Sequence, residues 1–377
     1  MKCLLEECRA EDIKFYFSTP NYEMKIDKFT DIISFEKALE ISQIISDIKD
    51  KLQGKLVFGA IPFDINESGK LYITDSWETN SVPFKERANV DTAVTDNNYP
   101  IKKEYIPSCE HYKEMVEKGV ECINKGKLSK LVLSRGVKFQ FPKNIDVTPI
   151  LQCLYSHNPA GYTYFLKKES GKYVVGASPE MLVSKRGNYV YSNPLAGSRQ
   201  RGKNQEEDLK FSKELNNSSK DLIEHNFVVE DIVRKLSHIC KTVLFSEKPE
   251  LLSTEQLWHL STKIEGELIN SNSTVFDAAL SVYPTPAICG VPQSNAYEKI
   301  RELEGSSRGI FTGIIGWCDE NGDGDWAIAI RGAEIDKDSI FIRAGAGIVQ
   351  KSVAQEELEE TEIKFRTMLR GLNLGEI

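Results

Sequence analysis

The sequence predicts an α+β protein, with strands and helices grouped in runs. Strand-like segments follow one another through TYFLKK, KYVVGAS, EMLVSK and YVYSNPLAGSR, the last entered by a hairpin across Arg186-Gly187-Asn188. A helical block then occupies residues 205–240 before strands return. No Gly-x-Gly-x-x-Gly follows a strand and no internal repeat is visible, which disfavours a dinucleotide-binding alternation.

The elements are justified in chain order. FYFSTPNYEMKI and KLVFGAIPFDINESGKLYIT read as strands, with turn chemistry at Asn66-Glu67-Ser68-Gly69. SFEKALEISQIISDIKDKL between them has helical periodicity. Residues 79–105 are polar and without periodicity, so they read as a loop or linker, and the chain divides there into residues 1–105 and 106–377. CEHYKEMVEKGVECINKGK is an amphipathic helix with Tyr112, Met115, Val116, Gly119 and Ile123 on its apolar side and Gly126 as its stop. A strand from Leu128 to Phe141 places Lys130, Val132 and Ser134 on one face, and Leu131, Leu133 and Arg135 on the other. ILQCLYSH is a helix ending at Asn158-Pro159. In the block 205–240 the apolar stripe is read as Leu222, Ile223, Val229, Val233 and Leu236, with Val228 beyond it. GIFTGIIGWC and DWAIAIRGAEI read as paired strands joined by Asn321-Gly322-Asp323-Gly324.

The 377 residues, 40% hydrophobic and 28% charged, can bury a substantial core. A net charge of −8 argues against a non-specific nucleic-acid or anionic-membrane binder, since both need a basic footprint. An anionic substrate would then need local cations or a metal ion. Eight scattered cysteines without a CxxC pair point to reduced thiols, not a zinc site or a disulfide framework. No apolar run approaches a membrane span, and the N-terminus lacks a signal peptide's apolar core, so a soluble cytoplasmic protein is expected.

Chemistry concentrates at two places. FIRAGAGIVQKSVAQEELEETEIK passes from a strand through Gly345-Ala346-Gly347 into a helix bearing Glu360 and Lys364 one turn apart. Glycines around a small residue let backbone N–H groups approach an anion. The ordinary reading of such a helix is a solvated face. Glu224, on a helix apolar on more than one side, must be paired, protonated or metal-bound where it is shielded from water. The ordinary readings of Lys130, Glu180 and His259 are an edge-strand lysine, a hairpin-rim carboxylate and a satisfied core histidine.

Together and in order, these segments resemble the chorismate-utilising enzymes. The blocks are SKLVLSR, GASPEMLV, NPLAGSRQRG, SSKDLIEHNFVVEDI, LWHLST, YPTPAICGVP, FTGIIGWCDENGDGDWAIAIRGAEI and AGAGIVQKSVAQEELEETEIK, covering roughly residues 107–372. Within the family they are most similar to isochorismate synthases of the siderophore or menaquinone kind. The resemblance implies two packed antiparallel sheets with helices outside, chorismate as substrate and Mg²⁺ as cofactor. It implies Lys130 as the base that activates water and Glu180 as the acid at the C4 hydroxyl. Glu224 and Glu360 would hold the metal ion. Gly345, Ala346, Gly347, Arg331 and Lys364 would bind the substrate carboxylates, with Ser198 and His259 nearby. A lysine base working near neutrality has to fall roughly 2–3 units below about 10.4, whereas an acidic Glu180 needs the opposite shift. A salicylate synthase shares the lysine base. Aminating relatives typically carry Gln at the position of Lys130, and the aminodeoxychorismate type often a nucleophilic Lys at that of Ala196. A non-catalytic ligand-binding relative is the reading from another class. Two departures stand out: Tyr283 where many relatives have His, and ELEGSSRG (302–309) without their Pro-Phe-Asp before Arg-Gly.

Overall fold

A computed structural model describes residues 3–6, 8–81 and 99–374. Among them two large antiparallel sheets, of ten and nine strands, pack face to face, with a three-stranded sheet beside them. The strands alternate side chains between faces. Phe15 and Phe17 enter the layer between the sheets with Phe58, Tyr72, Ile315 and Ala327, while Tyr16 faces outward into a second cluster. Helices Thr148–His157 and Ala354–Gly371 cover that outer face through Ile150, Leu154, Phe365 and Met368. Strands from before and after residue 105 share both large sheets.

The ten-stranded sheet is built around Lys130–Gln140 and Ser339–Ile348, whose register runs from Ser339↔Gln140 to Ile348↔Leu131. Helix Cys109–Asn124 packs its expected residues, Tyr112, Met115, Val116, Gly119 and Ile123, against the core. Ser108 Oγ caps it by accepting from His111 N at 3.2 Å, and Gly126 leaves it at φ +73°.

Several expectations are corrected. YVYSNPLAGSR is not one strand: Tyr189–Asn193 lies in the nine-stranded sheet and Leu195–Gln200 in the small one, separated by Pro194, which cannot donate to a ladder. DWAIAIRGAEI is likewise divided between Gly324–Ile328 in one large sheet and Gly332–Asp336 in the other, with Arg331 at φ +54° where the chain crosses. The block 205–240 contains two helices, Gln205–Asn217 and Ser219–Leu236, the second capped by Ser218. The second helix buries Asp221, His225, Val228, Val229, Ile232 and Leu236, whereas Ile223 is 57% exposed. The true stripe was hidden because two of its members are polar. The structure adds helices Val275–Val282 and Gln293–Glu304 and strand Asp31–Phe35. The expected linker 79–105 holds the ends of strands Glu78–Asn80 and Lys102–Ile106, whose side chains are mostly exposed and so show no apolar alternation. The rest of that expectation, residues 82–98, lies outside the described residues.

Candidate active site

The crossing at Arg331, the paired strands Lys130–Gln140 and Ser339–Ile348, and helices Ser219–Leu236 and Ala354–Gly371 enclose a cavity. Its volume is about 880 Å³ including the solvent at its mouth. It brings together Glu180, Ser198, Glu224, His259, Arg331 and Glu360, with Lys364, Gly345 and Gly347 also on its wall. Of the residues singled out in the sequence, Lys130 and Ala346 stand behind that wall.

Lys130 is fully buried, and its Nζ lies 2.9 Å from Glu224 Oε1. The contact is an ion pair without the alignment of a hydrogen bond. Glu224 is 14% exposed, so the lysine is covered from the cavity by its own counter-ion. Gly347 permits this arrangement: a Cβ there would stand 2.5 Å from Glu224 Oε1 and 3.3 Å from Lys130 Cε. The glycine is needed for space, and its neighbours are a carboxylate and a lysine.

The ladder explains why Ala346 is not part of an anion cradle. Ser134 N donates to Glu304 Oε1 and Val132 N to the Cys289 carbonyl, each at 2.8 Å, so both turn away from Ser339–Ile348. Their partners Gly345 and Gly347 are therefore the non-hydrogen-bonded members of the ladder, and their N–H groups are left out of it. Ala346 faces Leu133 as a hydrogen-bonded pair. Its N–H is used and its side chain is in the core. Lys364 Nζ donates to the Gly345 carbonyl at 2.7 Å and to Glu360 Oε1 at 2.5 Å.

The site's electrostatics separate its carboxyls. Burial pushes the Glu180 carboxyl up to about 7, against the opposing pull of the Leu195 N–H, Lys130, Lys364 and Arg331. Burial also works against the Glu360 carboxylate, but Lys364, Lys220 and Arg331 outweigh it and hold it below the usual range. Its neighbour Glu357 is pushed up to about 7 by burial and by Glu360, although Lys220 Nζ approaches it at 3.3 Å. Burial, then Arg331 and Lys364, keep His259 well below the ordinary histidine range, so its imidazole is neutral. Ser198, opposite it in the ladder, places Oγ 3.0 Å from Nδ1, and the buried Nε2 has no partner. Burial lowers Arg331 to about 10, and the guanidinium has no hydrogen bond or ion pair to a described residue. A buried cation left unpaired in this way fits an anion from outside.

Sequence reasoning missed Lys220, Asp221 and Arg343 on the cavity wall, and His225 behind it, where Nε2 lies 2.8 Å from Thr262 Oγ1. A signal existed for most of them. Lys220 and Asp221 precede Glu224 by four and three residues on one helix, and Arg343 alternates with Gly345 and Gly347 along one strand. Tyr283 is a strap: its hydroxyl lies 3.0 Å from the Thr312 carbonyl, 3.2 Å from that of Phe63 and 3.3 Å from that of Pro62.

Residues 63–373 match the sequence model of the chorismate binding enzyme family, and the chain belongs to that family. It is 40% identical to isochorismate synthase DhbC of Bacillus subtilis, covering 89% of this chain and 86% of the relative. It is 37% identical to the vibriobactin-specific isochorismate synthase of Vibrio cholerae over 96% of this chain and 93% of that one. The fold superposes on the crystal structure of DhbC from Bacillus anthracis with a TM-score of 0.91 and 35% identity, covering 99% of both chains. Among the described residues, no helix is long and apolar enough to cross a membrane.

Proposed function

We propose that the chain is an isochorismate synthase, a cytoplasmic enzyme that adds water at C2 of chorismate and removes the C4 hydroxyl. The observation that carries this is Glu180: a buried carboxyl raised to about 7, in a cavity whose cationic groups suit a dicarboxylate. The relatives' names agree with it. Lys130 takes a proton from the water as the C2–O bond forms. The two ring double bonds shift, Glu180 protonates the departing C4 oxygen, and water leaves. Lysine gains one proton and glutamic acid loses one, so charge is conserved. Arg331, Lys364 and the free N–H groups of Gly345 and Gly347 hold the carboxylates. Nothing nucleophilic stands at Ala196 to form a covalent adduct.

Magnesium fits this donor set. Glu224 and Glu360, which line the same cavity, would hold the ion as hard oxygen ligands, and a magnesium site of few carboxylates completed by water and an anionic substrate is the usual arrangement. When bound, the ion would supply positive charge against the substrate's ring carboxylate.

The test is chromatography of the products after incubation with chorismate, with and without Mg²⁺. Isochorismate formed only with the metal is expected, and Glu360→Ala should behave like chelated wild type. Full turnover in excess chelator would remove the metal from the account. Ammonium-dependent anthranilate would overturn the reading of Lys130.

A further inference from the structure

The cavity holds a second guanidinium that the reaction above leaves unused. Arg343 lies on the same face of strand Ser339–Ile348 as Gly345 and Gly347 and lines the same cavity. Two of its five donors are tied: Nη1 donates to the Ser307 carbonyl at 2.9 Å and Nη2 to Ser306 Oγ at 3.2 Å. Its Nε is buried and has no partner, and the group lies over the Phe341 ring, 5.1 Å from its centre. Among the described residues no carboxylate comes within ion-pair distance. Burial works against the charge and holds the guanidinium below the ordinary arginine range. A half-buried cation without a counter-ion carries a desolvation cost, and here it stands at the edge of a cavity suited to an anion.

Its position selects which anion. Glu224 and Lys130 stand at the Gly347 end, and Arg343 is four residues away, about 13 Å along the strand. A ring carboxylate held near Glu224 leaves the arm at C3 to extend toward the other end. Both tethers come from Ser306 and Ser307, within the segment that departs from the relatives' Pro-Phe-Asp. We propose that Arg343, aimed by Ser306 and Ser307, is a recognition residue for the carboxylate on the substrate's enolpyruvyl arm. This rests on the function proposed above.

Two aromatic probes test it by titration calorimetry on the full chain. One is 3-(carboxymethoxy)benzoate, which carries both carboxylates; the other is 3-methoxybenzoate, which lacks that of the arm. Arg343→Gln should weaken the dicarboxylate roughly 10- to 100-fold, the loss of a charge-assisted contact, and change the monocarboxylate less than about threefold. Arg343→Lys, which keeps the charge and stem, should show a smaller loss for the dicarboxylate alone, and it reads out even where the glutamine variant fails to fold. Equal weakening of both probes would make Arg343 a structural strut, and unchanged affinities would also overturn the proposal. Wild type that discriminates the probes through Arg343 but leaves chorismate unconverted upholds the recognition role and removes the reaction. Wild type that makes isochorismate while the variants bind both probes normally removes only Arg343.

Discussion

The acid role proposed for Glu180 has to be met in a cavity with Arg331 and Lys364, two cations that favour the ionised form of its carboxyl. Burial wins, raising it from 4.5 to about 7. The acid form is therefore present below about 7, and kcat/KM should fall as pH rises through that value. Glu180→Gln should lower kcat about 10²–10⁴-fold and abolish that alkaline limb in the residual rate. The sign for stability runs the same way. The unfolded chain ionises Glu180 near its ordinary value, so the fold loses stability between pH 4.5 and about 7, and Glu180→Gln should flatten that loss in denaturant titrations. A variant that keeps the alkaline limb would show that another group supplies the proton. Glu180 and His259 were legible in the sequence only through ordered resemblance, whereas Lys364 stood out by its spacing from Glu360. Isolated, each has an ordinary surface or core reading, because sequence carries residue type but not desolvation.

At the scale of elements, periodicity served where the buried face is wholly apolar and failed where it is not. Helix Cys109–Asn124 follows the sequence reading residue for residue. Helix Ser219–Leu236 does not, because His225 and Asp221 sit on its buried side and Ile223 on its wet one. The divided strands at Pro194 and Arg331 were unreadable for another reason: the break lies in which sheet each half joins, a non-local fact. The corrected helix face makes a direct prediction. Ile232→Ala should cost about 2–5 kcal/mol in chemical denaturation, as expected for an apolar core truncation. Ile223→Ala should stay within about 0.5 kcal/mol. The opposite order would restore the face read from sequence.

The whole molecule carries a charge of −8, yet the cavity at the Arg331 crossing gathers Arg331, Arg343, Lys220 and Lys364. Local cations thus work against the global field, as an anionic substrate requires. The fold serves this purpose where the chain crosses between the large sheets at Arg331 and where strand Ser339–Ile348 ends ahead of helix Ala354–Gly371. The eight cysteines are unpaired, consistent with a fold held by its apolar layers and not by disulfides. The central claim is that solvent water adds at C2 as the C4 hydroxyl leaves, and the reaction run in H₂¹⁸O tests it most directly. Mass spectrometry of the product should find isochorismate carrying one ¹⁸O at C2, with the original C4 oxygen released to solvent. Isochorismate without the label, or salicylate with stoichiometric pyruvate in its place, would contradict the account.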